Sequence, residues 1–346
     1  QNEENFFQDK MKANEILVKF NPDESVNFIL LSGMASTDFN VLRDDIIKGM
    51  NEVSGDSISI NFINNSIDAM DASGGVVGQF IPDKNNKGIS NTIFYKANHI
   101  YYNLNTEKTF LTDNAEVVYG MTTLKGGEIE ADLNLNLIES KVKKGILPSV
   151  SSDGKAPTYG NYMIFDLKTE QGNIKDGYNQ IDMGIFKGDE FLTDKNEDVY
   201  IQNAIFTSCD LDTPHYHFGS KKMKIIHDKE QIVASPMILY MQDLPTVYLP
   251  ITILPNSNKK SKSGFIMPSF GHSRTLGTWI KDLGYYYAPN DYYDILTYID
   301  FYDKSRFTVE TAIKYKKSYG KKWYNYDIKG HLKLQNYIRT LRTDQD

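Results

Sequence analysis

The sequence predicts an all-β protein in two parts: a jellyroll-like stack of strand–turn–strand repeats, then the first strands of a membrane-type β-barrel. Three observations predict it. An internal repeat places "ILVKFN", "ISINFI" and "IYYNLN" at Ile16, Ile58 and Ile100, 42 residues apart both times. Apolar residues occupy every second position in these segments and in several that follow, the period of a half-buried strand. From about Gly264 the alternation continues in runs of roughly ten residues crowded with aromatics, a length and composition suited to crossing a bilayer.

Composition removes several function classes. The 346 residues are 40% hydrophobic and 24% charged, ordinary values for a folded chain and unlike those of a disordered one. The formal net charge of -7, with lysines scattered through turns and strand ends, provides no basic surface for nucleic acid. A single cysteine, Cys209, has no partner for an intramolecular disulfide, so cysteine usage leaves the redox compartment open. No apolar run approaches the roughly 20 residues of a transmembrane helix, and "NFILLSGMA" lacks the length and basic flank of a signal peptide. Strands that cross a bilayer leave no such run, so a barrel stays in play.

In the repeats, Ile16, Val18 and Phe20 share one face, as do Ile58, Ile60 and Phe62, and Ile100, Tyr102 and Leu104. "IEADLNLNLIES" and "MIFDLKTEQGNI" continue the pattern with Ile129, Ala131 and Leu133, then Met163, Phe165 and Leu167. The turns "NPDES", "NNS", "NTEK" and "KTEQG" carry the Asn, Asp, Gly and Pro that hairpins favour. Each strand buries one face, so the stack must fold over on itself, giving an elongated β-jellyroll or solenoid with an apolar interior. A plain structural sandwich satisfies the same periodicity. Val18, Ile60, Phe62, Tyr102, Leu104, Ala131 and Phe165 are the side chains expected to line an interior groove. "SGGVVG" (Ser73 to Gly78) lacks the strand–glycine–helix context of a phosphate loop and reads as a turn between repeats. "LPSVSSDGKAPTYGN" (Leu147 to Asn161) reads as an exposed insertion. The expected division is 1–235 for the repeats, 236–263 for a proline-containing junction with the first barrel strands, and 264–346 for a partial barrel.

In the junction, Pro245, Pro250 and Pro255 lie five residues apart among apolar residues, although proline cannot donate to a sheet ladder. Beyond it, "YYDILTYIDFY" sets Tyr293, Ile295, Thr297, Ile299 and Phe301 against Asp294, Tyr298 and Asp300. "RFTVETAIKYK" sets Phe307, Val309, Thr311, Ile313 and Tyr315 against Arg306, Thr308, Glu310, Lys314 and Lys316. "WYNYDIKGHLKLQ" repeats the division with Tyr324, Tyr326, Ile328, Leu332 and Leu334 on its apolar face. Strand length and the clustered tyrosines favour a barrel with its apolar face toward lipid over a soluble sandwich of reversed polarity. About five such strands fit, whereas single-chain bacterial barrels begin at roughly eight, and open edges are not tolerated in lipid. The sequence is therefore expected to be the front portion of a longer polypeptide.

Chemistry finds little support. "CDLDTPHYH" gathers Cys209, Asp210, Asp212, His215 and His217, but the spacing fits no standard zinc pattern, so a solvated turn is the expectation and no metal is assigned. His99, His227, His272 and His331 are isolated in sequence and read as surface residues. No serine or cysteine sits in a nucleophile elbow and the carboxylates are distributed, so neither catalysis nor a cofactor is expected.

The residues also carry a family resemblance. "AEVVYGMTTLKGGEIEADLNLN" resembles the repeat of OstA-type periplasmic lipopolysaccharide-transport domains. The stretch from Ala204 to about Tyr302, with "FTSC", "SGFIMPS" and "APNDYYD" in that order, is similar to the domain–barrel junction of the LPS-assembly outer-membrane protein family, LptD. The resemblance implies an outer-membrane protein with its N-terminal domain in the periplasm, where it receives lipopolysaccharide from an LptA-type bridge protein. It further implies release into the outer leaflet through a barrel plugged by an LptE-type lipoprotein. Cys209 matches a position that is disulfide-bonded in some relatives, and no partner for it exists in this chain. With the resemblance, Pro245, Pro250 and Pro255 become candidates for a lateral gate, since each proline removes a ladder hydrogen bond; a rigid interdomain linker is the alternative. A general outer-membrane channel or receptor, or a surface β-solenoid binding glycan or protein, are the competing functions.

Overall fold

The structure, a computed structural model, describes residues 9–339 except 44–45, 64–65, 85, 87, 153–154, 182–183, 210, 212–213, 229–230, 242, 256–262, 267, 275–276, 291, 304–305 and 322–323. Every regular element among the described residues is a strand, and no helix is long and apolar enough to cross a membrane. The chain divides into two compact units, one formed by Gln1–Gly219 with Leu239–Pro245 and the other by Ser220–Ile238 with Thr246–Asp346.

The first unit begins with β1 (Lys10–Lys12), β2 (Glu15–Phe20), β3 (Val26–Arg43), β4 (Ile46–Ile63), β5 (Ser66–Pro82), β6 (Ile93–Asn103), β7 (Lys108–Tyr119) and β8 (Thr122–Asp132). Consecutive strands from β2 to β8 pair antiparallel, so the 42-residue repeat is one up-and-down pair: Ile16, Ile58 and Ile100 fall on β2, β4 and β6. β3 and β4 run to 18 residues, longer than the short strands the repeat suggests, because each is bent in the middle. The ladder slips between Ser32 and Ala35, Ser73 and Val76, and Thr112 and Ala115, where β3, β5 and β7 each carry one more residue than their neighbours. The extra residues adopt left-handed backbone at Gly33 and Met34, Gly74 and Gly75, and Asp113 and Asn114 (φ between 50° and 85°). Such a bulge bends a strand, and three aligned bulges fold the whole sheet along one line. "SGGVVG" is therefore a mid-strand corner in β5, not a turn between repeats.

Past β8 the corner widens. β9 (Leu137–Lys141) pairs with one half of β8 and β10 (Ser149–Ser152) with the other, while residues 142–148 leave the ladder between them. β11 (Thr158–Tyr159) and β12 (Tyr162–Asp166) share the next position in the same way, and both pair with β13 (Gln171–Ile181). Residues 147–161 thus supply two short strands to the sheet instead of forming a loop on it. β14 (Gly184–Thr193) and β15 (Val199–Thr207) extend the ladder.

Folding at the corner brings the two half-sheets face to face. Phe39 of β3 packs on Tyr102 of β6, which belongs to the half-sheet on the other side of the corner, with ring centroids 5.9 Å apart, and Tyr119 meets Phe165 edge-on at 6.3 Å. One cross-strand row runs Leu31, Ile58, Ala72, Ile100, Leu111, Ile129, each opposite the next and none more than 1% exposed. It continues through Ser140, Met163, Ile174, Phe191 and Ile201 as the core of the jellyroll-like unit.

β16 (Tyr216–Ile226) and β17 (Gln231–Met241) are shared between the units, as is the stretch of β18 (Leu244–Leu249), and β19 (Thr252–Pro255) pairs with the start of β17. The second unit also holds a six-stranded antiparallel sheet of β20 (Gly264–Ile266), β21 (Ser269–Ser273), β22 (Gly277–Tyr287), β23 (Tyr293–Tyr302), β24 (Arg306–Lys321) and β25 (Tyr324–Arg339). β20 and β21 pair with opposite ends of β22, and β24 and β25 pair along their full 16 residues.

Candidate functional site

Five of the seven groove candidates lie in one cross-strand row. Val18 opposes Ile29, Ile29 opposes Ile60, and the row proceeds through Met70, Tyr102, Thr109, Ala131 and Ile138 to Phe165. Alternation turns all of these to the inner face. The row is open at its start, where Val18 on β2 is 37% exposed, and covered within two strands, Ile60 and Tyr102 each being 2% exposed. Phe62 and Leu104 lie off the row: Phe62 is half-buried near the end of β4, and Leu104 is in the turn after β6, its N–H donating to the Asp68 carbonyl (2.9 Å). Burial pushes the Tyr102 hydroxyl above its ordinary pKa.

The outer face is charged. Glu116 on β7 takes Lys96 of β6 at 2.9 Å and Lys125 of β8 at 3.3 Å, Lys108 reaches Glu130 at 2.6 Å, and Lys175 reaches Glu190 at 2.6 Å. Registers that sequence alone does not reveal also give His99 partners, with Nε2 2.8 Å from an Asp71 carboxylate oxygen and Nδ1 3.3 Å from Thr112 Oγ1. His272 Nδ1 lies 3.2 Å from Thr278 Oγ1. A cavity of ≈ 380 Å³ on this outer face is lined by Leu137, Ile164, Asn173, Leu192 and Tyr200 with acidic neighbours Asp166 and Asp194, and it includes none of the groove candidates.

In "CDLDTPHYH", Cys209 Sγ is 3.9 Å from His215 Nδ1, whereas His217 stacks on Tyr240 with centroids 4.8 Å apart. Asp210 and Asp212 lie outside the described residues, among which no metal-binding cluster of His, Cys, Asp and Glu occurs.

The prolines punctuate the strands after β17. Pro245 is the second residue of β18 in the first unit, Pro250 separates β18 from β19, and Pro255 ends β19 opposite Gln231. The Pro250 carbonyl accepts a hydrogen bond from Ser235 Oγ (3.1 Å), so the interruption is held against β17.

The sheet of β20 to β25 reverses the polarity of the first unit. Tyr293, Ile295, Thr297, Ile299 and Phe301 of β23 oppose Tyr315, Ile313, Thr311, Val309 and Phe307 of β24. This face is the accessible one: Phe301 and Tyr315 are each 49% exposed, and Tyr285, Tyr287, Tyr293 and Phe307 are exposed too. The covered residues are on the polar face, where Tyr302, Thr308, Glu310 and Ala312 are at most 7% exposed. Lys281 lies over the rings of Trp279 (4.6 Å) and Tyr302 (5.5 Å) on that face. Trp323 lies outside the described residues. A sheet that exposes its aromatic and aliphatic face and covers the middle of its polar one, Lys314 and Lys316 remaining exposed, has the inside–outside pattern expected of strands in lipid.

Residues 232–339, from β17 to the end of β25, match the family model described as LptD protein. The chain is similar to LptD. An LPS-assembly protein LptD from Hahella chejuensis is 28% identical over 189 residues, covering 52% of this chain and 22% of that protein. The LptD of Shewanella sp. strain ANA-3 is 32% identical over 111 residues, and that of Legionella pneumophila strain Philadelphia 1 is 31% identical over 113. Each of these two alignments covers 32% of this chain, and 14% and 13% of the respective relatives, so the matched segment is a small part of each curated protein. The LptD-like segment contains "SGFIMPS" and "APNDYYD", whereas "FTSC" precedes the matched residues. Among solved structures, LptH of Pseudomonas aeruginosa, described as the LptA homologous periplasmic component of the lipopolysaccharide transport device, covers 40% of this chain and 85% of its own. Its TM-score is 0.31 at 13% identity.

Proposed function

We propose that the protein transports lipopolysaccharide and inserts it into the outer leaflet of the outer membrane, its first unit lying in the periplasm. The observation that carries this reading is the succession, in one chain, of a folded sheet that hides its apolar face and an LptD-like sheet that exposes its own. Burying an acyl chain is worth about 0.8 kcal/mol per CH₂, so a chain of about 12 carbons carries roughly 9 kcal/mol and does not cross water unaided. The row from Val18 to Phe165 would take the acyl chains once the half-sheets part, and the polar face of the second sheet would pass the sugars. An LptA-type bridge would deliver the lipid and an LptE-type lipoprotein would plug the completed barrel. Pro245, Pro250 and Pro255 would form the lateral gate: each ladder hydrogen bond contributes roughly 0.5–1.5 kcal/mol to a seam, and proline cannot supply the donor.

Photocrosslinking in cells tests the groove. Probes at Val18, Ile60, Tyr102, Ala131 and Phe165 should capture lipopolysaccharide, and probes at the outward Lys19, Ser59 and Glu130 should not; equal capture by both sets overturns it. Depleting the protein should strand newly made lipopolysaccharide at the inner membrane, which loss of a receptor or adhesin would not do. In the same cells, replacing Pro245 and Pro250 with alanine should slow surface delivery at unchanged protein abundance. Normal delivery, with the added ladder bonds confirmed structurally, would leave these prolines as linker residues.

A further inference from the structure

The interior of the first unit is not uniformly apolar. Thr37, Val53, Gly78 and Tyr95 form one cross-strand row beyond the corner, on the same inner face as Phe39, whose ring rests on Tyr102 of the facing half-sheet. Thr37 is 1% exposed, and its Oγ1 has no hydrogen-bond partner among the described residues. Asn51, opposite Phe39, is the diagonal neighbour of Thr37 across the ladder. Gly78 has no side chain, so the Tyr95 ring lies across it and carries its hydroxyl to Asn51 Oδ1, to which it donates at 2.5 Å. Tyr95 is half-buried, and burial pushes its hydroxyl above its ordinary pKa.

A buried hydroxyl without a partner destabilises a fold, and the large majority of buried polar atoms have one. Valine has the same shape as threonine and suits a strand at least as well, so packing does not call for an oxygen at this position. An oxygen that the protein leaves unpartnered on the buried inner face it shares with Phe39, whose ring rests on Tyr102, fits a partner arriving with a ligand once the half-sheets part. A hydrocarbon chain offers none. The polar groups that enter an apolar space attached to acyl chains are the carbonyls of their ester or amide linkages, and a threonine hydroxyl donates to a carbonyl.

We propose that Thr37, with the Asn51–Tyr95 pair beside it, is a hydrogen-bonding station for the ester or amide carbonyl of an acylated lipid. It sets how far the acyl linkage enters the groove and favours acyl-linked over alkyl-linked lipids. The proposal rests on the lipid-groove reading above and deepens it by naming the chemical group that is recognised.

The test uses the full protein and its lipopolysaccharide crosslink at Ile60, competed by diester phosphatidylglycerol or by its diether counterpart of equal chain length, which lacks only the carbonyls. The diester should compete roughly two- to tenfold more strongly, the range that one net hydrogen bond provides. Thr37→Val should abolish that preference by weakening the diester alone, Thr37→Ser should retain it, and Tyr95→Phe should reduce it. Thr37→Val should fold at least as stably as the parent, because it removes an unpartnered hydroxyl, and circular dichroism checks that. Equal competition in the parent, or a preference that survives Thr37→Val, overturns the station and leaves the groove standing. Failure of any lipopolysaccharide to crosslink at Ile60 overturns the groove reading, and the station with it.

Discussion

The two units use the same alternation with opposite results. In the first, Ile58 and Ile100 are at most 1% exposed and the glutamates and lysines lie outside; in the second, Phe301 and Tyr315 are half exposed while Glu310 is 7% exposed. A period of two specifies that a strand has an apolar face but not which solvent that face meets. The solvent is decided by what the strand can do with the face. β3, β5 and β7 carry bulges that fold the sheet against itself, whereas β23 and β24 pair in unbroken register from Tyr293 to Tyr302 and have no such corner. Three aligned bulges, against the single one among the described residues of the second sheet, at Ile280–Leu283 of β22, and not the hydrophobic pattern, separate a sheet closed on its apolar face from one that exposes it.

The sharpest way to break that comparison is to place lysine on the apolar face of each unit. Ile58→Lys should unfold the first unit with or without lipid, costing more than the roughly 2–5 kcal/mol of a buried isoleucine-to-alanine change, because an unpaired charge is added to the lost packing. Ile299→Lys or Val309→Lys should spare folding in detergent but weaken bilayer assembly by about 2–4 kcal/mol near the midplane. Denaturant titration of the first and protease protection of the second in vesicles read the two effects separately. Alternation alone offers Thr308 as the mild site for a lysine on the polar face, but Thr308 is 6% exposed, so the added bulk is costly there too. Lys314→Met, at an exposed polar-face position, is the better control and should change assembly little. If Ile299→Lys harmed folding in detergent as much as Ile58→Lys does, the second sheet would have a water-facing core and the contrast would fail.

A smaller effect tests the corner itself. Gly74 and Gly75 both have left-handed backbone, with φ of 85° and 61°, but a methyl group on Gly74 would collide with the Asp56 side chain while one on Gly75 would meet nothing within 4 Å. Gly75→Ala should therefore cost only the backbone term of about 1–2 kcal/mol, and Gly74→Ala distinctly more. Equal costs in a melting experiment would mean that the corner yields as a unit and that its position is not set by close approach.

These corners also mark where sequence reading runs out. The repeat at Ile16, Ile58 and Ile100 was legible because register preserves a period of two, and it put Val18, Ile60 and Tyr102 on the apolar faces that the ladder joins into one row. "SGGVVG" was not legible as a corner, since two glycines satisfy a turn and a bulge equally well, and the choice depends on Asp56 and His99 on neighbouring strands. The same holds for residues 147–161, whose small polar residues resemble a loop until β8 and β13 offer them ladder partners. The Asp71–His99–Thr112 contacts and the unpartnered Thr37 hydroxyl arise from pairings 13 or more residues apart in sequence, beyond the reach of local pattern.

The smallest expected effect concerns the charged exterior that the folded first unit requires and a lipid-facing surface would not tolerate. Burial alone would raise the Glu116 carboxyl, but hydrogen bonds from Lys96 and Lys125 bring it below the ordinary carboxylate value; Lys175 and then Asn173 do the same for Glu190. A carboxylate whose pKa is lower in the folded state contributes stability that is fully present above its unfolded value and is lost as pH falls through the folded one. The first unit should accordingly lose stability on the acid side of the ordinary carboxylate range. Glu116→Gln should flatten that acid limb while changing stability at neutral pH by no more than about 1 kcal/mol, since exposed pairs are screened by water. Ionic strength separates this from packing, because salt should weaken the parent's pH dependence more than that of Glu116→Gln, which keeps the Lys175–Glu190 share of it. A limb of unchanged slope in Glu116→Gln, measured by denaturant titration from neutral pH downward, would assign the acid sensitivity to other carboxylates and reduce the outer ladder to a solubilising surface.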